Sequence, residues 1–307
     1  MADNGKQDHE VLAAVTGFLD SFSDKPTPLT ETRNFVLPST YAVDWRAHAG
    51  ELIQTTQNEW LAEMERRLDR MRDAGLSSFV QALAATTDDL PPPRVWIDAE
   101  QGIAAVWAGF VMRSNGEEKY RGVGAFTLYR SSKEEEEEGG GGGGAGWKIA
   151  AYVDARWDPE YFRPQPTDEK QATDELLAAA RAFTDLVNSG TEGSEDAALG
   201  SVLPNCITHR LDDKNGLQSA LLEDLLREEN ILTEGTGRRI RKVEVLDGEG
   251  RVVAGVGFLW MHYTVVTASG ETGAGQTTAR GTATLTFLQR NEKWLVSGMQ
   301  EAERLPL

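Results

Sequence analysis

The sequence predicts an α+β protein made of two tandem domains of like design, each with helices first and antiparallel strands after. Three observations predict it. At 307 residues the chain suits two domains of about 150 residues better than one. The stretch "VLPSTYAVDWRAHAG", Val36 to Gly50, is echoed at a constant offset by "VLPNCITHRLDDKNG", Val202 to Gly216. Helical periodicity followed by strand-like runs is then written once in each half.

The elements follow in order. In "HEVLAAVTGFLDSF", Val11, Leu12, Val15, Phe18, Leu19 and Phe22 recur at spacings of three and four, one apolar stripe of a helix. "DEKQATDELLAAARAFTDLV" repeats it with Leu176, Leu177, Ala180, Phe183 and Val187. The Val-Leu-Pro stretches read as loops after these helices. Thr56 and Glu59 form a Thr-x-x-Glu capping box for a second helix carrying Trp60, Leu61, Met64, Leu68 and Met71. Ser219 caps a shorter equivalent with Leu222, Leu225 and Leu226. A further helix is expected through Phe79, Val80 and Leu83, stopped by "PPPR".

Each half then offers a hairpin, with expected turns at Asp98–Gly102 and Asp247–Gly250. "VWAGFV" aligns with "LWMHYT", pairing Trp107 with Trp260 and Phe110 with Tyr263. The last strand pair is the clearest repeat. Arg-Gly followed five residues later by Thr occurs at Arg121/Gly122/Thr127 and at Arg280/Gly281/Thr286, and Trp147 and Trp294 open the final strands. Domain 1 is therefore expected over 1–163 and domain 2 over 169–307, joined by "RPQPTDEK", Arg163 to Lys170. The second half turns through "RNEK" where the first inserts a glutamate and glycine run, 131–146, read as a mobile, tolerated hairpin extension or an acidic docking tag.

Composition narrows the partners. The net charge is −18, of which Glu134 to Glu138 supply five negative charges, leaving −13 elsewhere. Such a surface repels nucleic-acid phosphates and anionic lipid, so neither is expected as a partner. "RRIRK", Arg238 to Lys242, reads as a solvated strand end. No apolar run reaches the roughly 18 residues of a membrane span, and the polar first ten residues lack the pattern of a secretory signal. Cys206 is the only cysteine, which rules out an internal disulfide and fits a reducing, cytoplasmic setting. Four scattered histidines make no metal site, and no phosphate loop or Gly-x-Ser-x-Gly elbow is present. No cofactor is expected.

Helices followed by a strand meander ending in "RGxxxFTL…GWKI…D" resemble the nuclear transport factor 2-like superfamily, in its SnoaL-like branch, once per half. The resemblance implies a curved sheet wrapped around helices to form a cone with a pocket inside. It also implies members that range from isomerases, cyclases and dehydratases to binding modules without catalysis, and dimers joined through sheet faces. "GIAAVWAGFVM" and "VVAGVGFLWMHYTVV" are apolar at odd and even positions alike, so both faces of these strands are expected to be covered. An internal pseudo-dimer, as a monomer or weak homodimer, is the expectation.

Candidate chemistry comes from position alone. His262, mid-strand between Trp260 and Tyr263, is a candidate acid or base near neutral pH, with Gly109 as its counterpart in the first half. Tyr263 and Asp212 are its candidate catalytic companions. Tyr41, Asp44 and His48, with His209 and Asp212 as partial equivalents, are candidates for the pocket mouth. Arg121 and Arg280 can bind an anion or pair with carboxylates. Tyr152 and Asp154 share a strand face by alternation, where the second half has Met299 and Glu301. Trp107 and Trp260, with Met261, are candidates to line or plug the pockets. The first functional reading is a small-molecule-binding or accessory protein with a small apolar ligand. The alternatives are a cofactor-independent lyase, isomerase or cyclase acting on a hydrophobic, polyketide-like substrate, and a protein-interaction adaptor.

Overall fold

The structure is a computed structural model describing residues 4–21, 23, 31–47, 49–73, 75, 78–84, 87, 90–130, 146–165, 167–189, 193–212, 216–231, 241–268 and 275–304. The run 131–145 and His48 lie outside the described residues. The chain divides into two compact units, Met1–Pro166 and Thr167–Leu307.

The first unit contains α1 (Asn4–Ser21), β1 (Val36–Arg46), β2 (Glu51–Thr56), α2 (Gln57–Asp73), β3 (Phe79–Leu83), β4 (Arg94–Asp98), β5 (Ile103–Ser114), β6 (Glu117–Arg130) and β7 (Trp147–Trp157). Its curved sheet has the order β2-β1-β7-β6-β5-β3, with β4 also paired to β5. Only the β1–β7 pair is parallel among these strands. The second unit contains α3 (Glu169–Ser189), α4 (Ser194–Leu199), β8 (Ile207–Asp212), β9 (Gly216–Leu221), α5 (Leu222–Ile231), β10 (Arg241–Val253), β11 (Val256–Ala268), β12 (Gly275–Arg290) and β13 (Lys293–Arg304). Its order is β10-β11-β12-β13-β8-β9, with β8 parallel to β13. Read from the hairpin edge inward the two orders are the same, with β10 standing where β3 and β4 stand together. The duplication legible in the sequence is thus a duplication of topology.

The helical stripes bury as their spacing requires. Val11, Val15, Phe18 and Leu19 of α1 pack with Ala104, Val106, Ala108, Phe126 and Leu128 on one face of the first sheet. Leu176, Ala180 and Phe183 of α3 do the same with Leu259, Met261, Tyr263 and Leu285. Each such large side chain contributes about 1.5–3 kcal/mol. At the start of α2 the Glu59 half of the capping box forms: the Glu59 carboxylate accepts the Thr56 N–H at 3.0 Å and its hydroxyl at 2.9 Å, which lowers the Glu59 pKa.

The repeated Arg-Gly has a packing cause. Gly122 pairs across the sheet with Phe110, and Gly281 with Tyr263. In both units a Cβ on the glycine would land on that aromatic ring. The glycine is the seat on which the ring lies, so the pair recurs together.

Four expectations are corrected. Val36–Arg46 is a strand, not a loop: its inward residues include Asp44, which hides the apolar alternation. Phe79–Leu83 is also a strand, too short for periodicity to tell it from a helix, and it pairs with the far end of β5. The second hairpin turns at Ala254–Gly255, both in the left-handed region, rather than at Asp247–Gly250. Ser219 lies inside β9 and does not cap α5, which begins at Leu222. The turns at Asp98–Gly102 and after Arg290 fall where expected, the latter on Asn291 and Glu292 with φ of 49° and 63°. Among the described residues no helix is long and apolar enough to cross a membrane.

Candidate functional site

Alternation along β7 sends Tyr152, Asp154 and Arg156 to the helix-covered face of the first sheet. Parallel pairing then sets Asp44 of β1 directly beside Asp154. Above them α1 contributes Phe18 and Leu19, and α2 contributes Trp60 and Met64. Phe18 and Trp60 stack at 5.7 Å, and Phe126 and Tyr152 at 5.9 Å, so the wall of this cavity is aromatic. The space that admits the centre of a water molecule is about 20 Å³, room for one or two waters.

The polar end of the cavity holds two carboxylates and one buried guanidinium. Arg156 grips both oxygens of Asp44, donating from Nε to Oδ1 at 2.6 Å and from Nη2 to Oδ2. Its Nε is 3.9 Å from Oδ2 of Asp154. Oδ1 of Asp154 is buried and has no hydrogen-bond partner among the described residues. Burial disfavours the charged form of Asp154 and the Asp44 carboxylate beside it adds to this, against the opposing pull of Arg156 and Arg46. The Asp154 pKa is pushed up to about 8. Burial alone would lower the Arg156 pKa, but Asp154 and Asp44 more than reverse this and raise it. By geometry Asp44 and Arg156 are the ion pair, and burial favours the protonated form of Asp154.

The second unit carries the same layout with its charges rearranged. Glu301 occupies the position of Asp154, and Arg210, paired with it across the parallel β8–β13 register, occupies that of Asp44. Arg210 donates from Nε to Oε1 of Glu301, and the Tyr263 hydroxyl donates to Oε2 at 3.1 Å. Phe183, Val187, Leu222, Leu225, Leu226, Met261, Leu285 and Met299 make most of the remaining wall, so it is largely aliphatic. The space open to water centres is larger, about 50 Å³.

Each unit thus has helices laid in the hollow of a curved sheet, with a pocket between them whose polar end sits on the sheet. Both have the cone architecture, a curved sheet wrapped around helices, that the resemblance to the nuclear transport factor 2-like superfamily implied. No protein-family model matches the chain and no curated protein sequence matches it. Three solved structures with similar folds each span under half of it. The beta subunit of the benzoate 1,2-dioxygenase of Burkholderia mallei matches 43% of this chain and 89% of its own at 11% identity, TM-score 0.35. A nuclear transport factor 2-like protein with a cystatin-like fold from Novosphingobium aromaticivorans matches 44% and 82% at 11% identity, TM-score 0.31. A CaMKII hub from S. rosetta matches 43% and 95% at 14% identity, TM-score 0.32.

The candidate residues separate by strand parity. Asp44, Tyr152 and Asp154 come together in the first cone, and Tyr263 enters the second. His262 does not. Tyr263 points inward, so its neighbour points out, and His262 is exposed with Nδ1 2.7 Å from the exposed Asp247. Trp260 shares that outer face with it, edge to ring at 6.5 Å. Trp107 likewise lies on the outer face of β5, so neither tryptophan plugs a cone; Phe18, Trp60, Phe126 and Tyr152 fill the first instead. Gly109, the counterpart of His262, lies under Leu90. Tyr41 alternates outward and accepts a hydrogen bond from Gln54 at 2.5 Å. His209 is the outward neighbour of Arg210. Arg121 pairs with Glu118 at the strand end, and Arg280 is exposed. Asp212 ends β8, and His48 is outside the described residues.

Arg156, Arg210 and Trp60 are site residues that sequence reasoning did not pick. Arg156 needed one more step of the alternation that joined Tyr152 to Asp154. Arg210 stands at the repeat position of Asp44, so the two echoing stretches already contained the charge exchange.

Proposed function

We propose that the protein binds small organic molecules in its cones, and that the first cone takes a single-ring ligand whose carbonyl oxygen meets Asp154. The observation that carries this reading is that Asp154, whose buried Oδ1 has no hydrogen-bond partner among the described residues, lines an aromatic-walled cavity. An unsatisfied buried polar atom costs about 1–3 kcal/mol, which a ligand hydrogen bond recovers. A protonated Asp154 donates to an acceptor; ionised, it repels one. The cavity is small, so ring entry requires the half-buried Trp60 on α2 to swing outward.

Acetophenone tests this. Methionine methyl NMR reads the first cone directly, because Met64 and Met112 line it. The expected result is a shift of both signals at pH 6, with affinity at least tenfold weaker at pH 9. The Asp154→Asn variant, a permanent donor, binds at both pH values. Equal binding by the wild type at pH 6 and pH 9 sinks the reading.

The same substitution makes a stability prediction. Between the ordinary carboxyl pKa of 3.8 and about 8, native Asp154 keeps a proton that the unfolded chain has released. Stability therefore falls as pH rises through this window. Asp154→Asn removes that dependence. It is expected to leave stability unchanged near pH 3.5 and to raise it on the order of 6 kcal/mol at pH 9. Urea unfolding across that pH range checks it.

The raised pKa favours a second reading, a cofactor-independent isomerase or lyase. An ionised Asp154 takes a proton from the carbon beside a carbonyl, the C–H electron pair moves to the oxygen as an enolate, and the proton returns to carbon. Exchange of acetophenone methyl protons into heavy water, abolished in Asp154→Asn, is its test. No exchange above the buffer rate leaves binding as the function.

A further inference from the structure

The second cone differs from the first in the two features that select a ligand. Its wall replaces rings by flexible chains at matched positions: Tyr152 becomes Met299 and Phe126 becomes Leu285, while Leu222, Leu225, Leu226, Val187 and Met261 complete it. Its carboxylate is also already satisfied. Arg210 engages one oxygen of Glu301 and Tyr263 the other, whereas Asp154 leaves an oxygen open. The remaining amide in the lining is used as well. Asn188 donates from Nδ2 to the Val243 carbonyl at 2.7 Å and accepts the Val243 N–H at 2.9 Å, which ties α3 to β10.

We propose that the second cone is a separate binding site for an uncharged aliphatic molecule, of the class of medium-chain alkyl alcohols. At rest the cleft is smaller than the roughly 300–1,000 Å³ of small-ligand clefts. Only about 50 Å³ of it admits a water centre. A chain therefore enters by rotation of Met261, Met299 and Leu225, side chains that adapt at small cost. Burying CH₂ groups drives the binding at about 0.8 kcal/mol each. A carboxylate head has no place here. It would be desolvated beside the Glu301 carboxylate, whose charge already offsets that of Arg210. This site stands independently of the ring-binding reading, because it shares no residue with the first cone.

The test is titration of 1-octanol into the full chain carrying ¹³C-methyl methionine, with signals assigned through single Met→Leu variants. Met261 and Met299 report the second cone, Met64 and Met112 the first. The expected result is that Met261 and Met299 move at a concentration at least tenfold below any movement of Met64 and Met112, and that octanoate needs at least tenfold more. Leu225→Trp, which fills the cleft, raises the octanol midpoint at least tenfold. If that variant loses its Met261 signal through unfolding, Val187→Trp replaces it. The proposal is overturned if Met261 and Met299 stay still up to the solubility of octanol, if all four methyls move together, if octanoate binds as well as octanol, or if a folded plug variant binds unchanged. A failure of acetophenone at Met64 and Met112 leaves this result untouched, so the two sites stand or fall separately.

Discussion

Asp44→Asn is expected to destabilise the first unit by about 3–5 kcal/mol, the range for breaking a buried pair from one side. Asp44 receives both arms of Arg156, whose side chain is 12% exposed. With asparagine in its place that guanidinium keeps one carboxylate among the described residues, Asp154, at 3.9 Å. Asp154 must then ionise to serve as the partner, which its burial opposes. The neighbouring substitution Asp154→Asn acts in the opposite direction above neutral pH. Two carboxylates paired directly across adjacent strands thus give effects of opposite sign. Urea unfolding at pH 8, followed by the Met64 and Met112 methyl signals, separates the first unit from the second. Similar losses for both variants would show that the proton is shared and that Asp44 is not the fixed anion.

The opposite signs come from strand register, and register is what the sequence conveyed least. The duplication was legible because it is carried by side chains with strict local needs: a glycine under an aromatic ring, a tryptophan at a strand start, an apolar stripe on a helix. Tyr152 and Asp154 were legible because alternation within one strand needs no partner. Arg210 and Glu301 meet only through a parallel pairing between β8 and β13, 91 residues apart, and nothing local announces it. His262 drew attention as a titratable group in an apolar run, but its parity was undetermined until Tyr263 was seen to face α3 and α5. The "DGEG" of β10 looked like a turn for a similar reason. Its glycines serve close approach instead: a Cβ on Gly250 would meet the Thr173 backbone of α3, and the Gly250 N–H donates to the Thr173 hydroxyl at 2.9 Å. A sequence shows that glycine is required, while the fold decides whether a bend or a neighbour requires it.

The repeated Arg-Gly offers a test of that distinction within one molecule. At Gly281 the three atoms nearest to a Cβ all belong to the Tyr263 side chain. At Gly122 the Phe110 ring is joined by the backbone oxygen of Ala155, at 2.6 Å. Gly281→Ala is therefore expected to destabilise the second unit by about 2–3 kcal/mol through overpacking, and to detach the Tyr263 hydroxyl from Glu301. Tyr263→Leu, which shortens the obstructing side chain, recovers most of the loss when combined with it, so the two changes are strongly non-additive. Gly122→Ala destabilises the first unit at least as much, and Phe110→Leu recovers only part, because a strand carbonyl cannot move aside without breaking the β6–β7 ladder. Thermal unfolding of the two double-mutant cycles measures the contrast. Equal rescue at both glycines would show that the ring alone sets the requirement and that the Ala155 backbone yields.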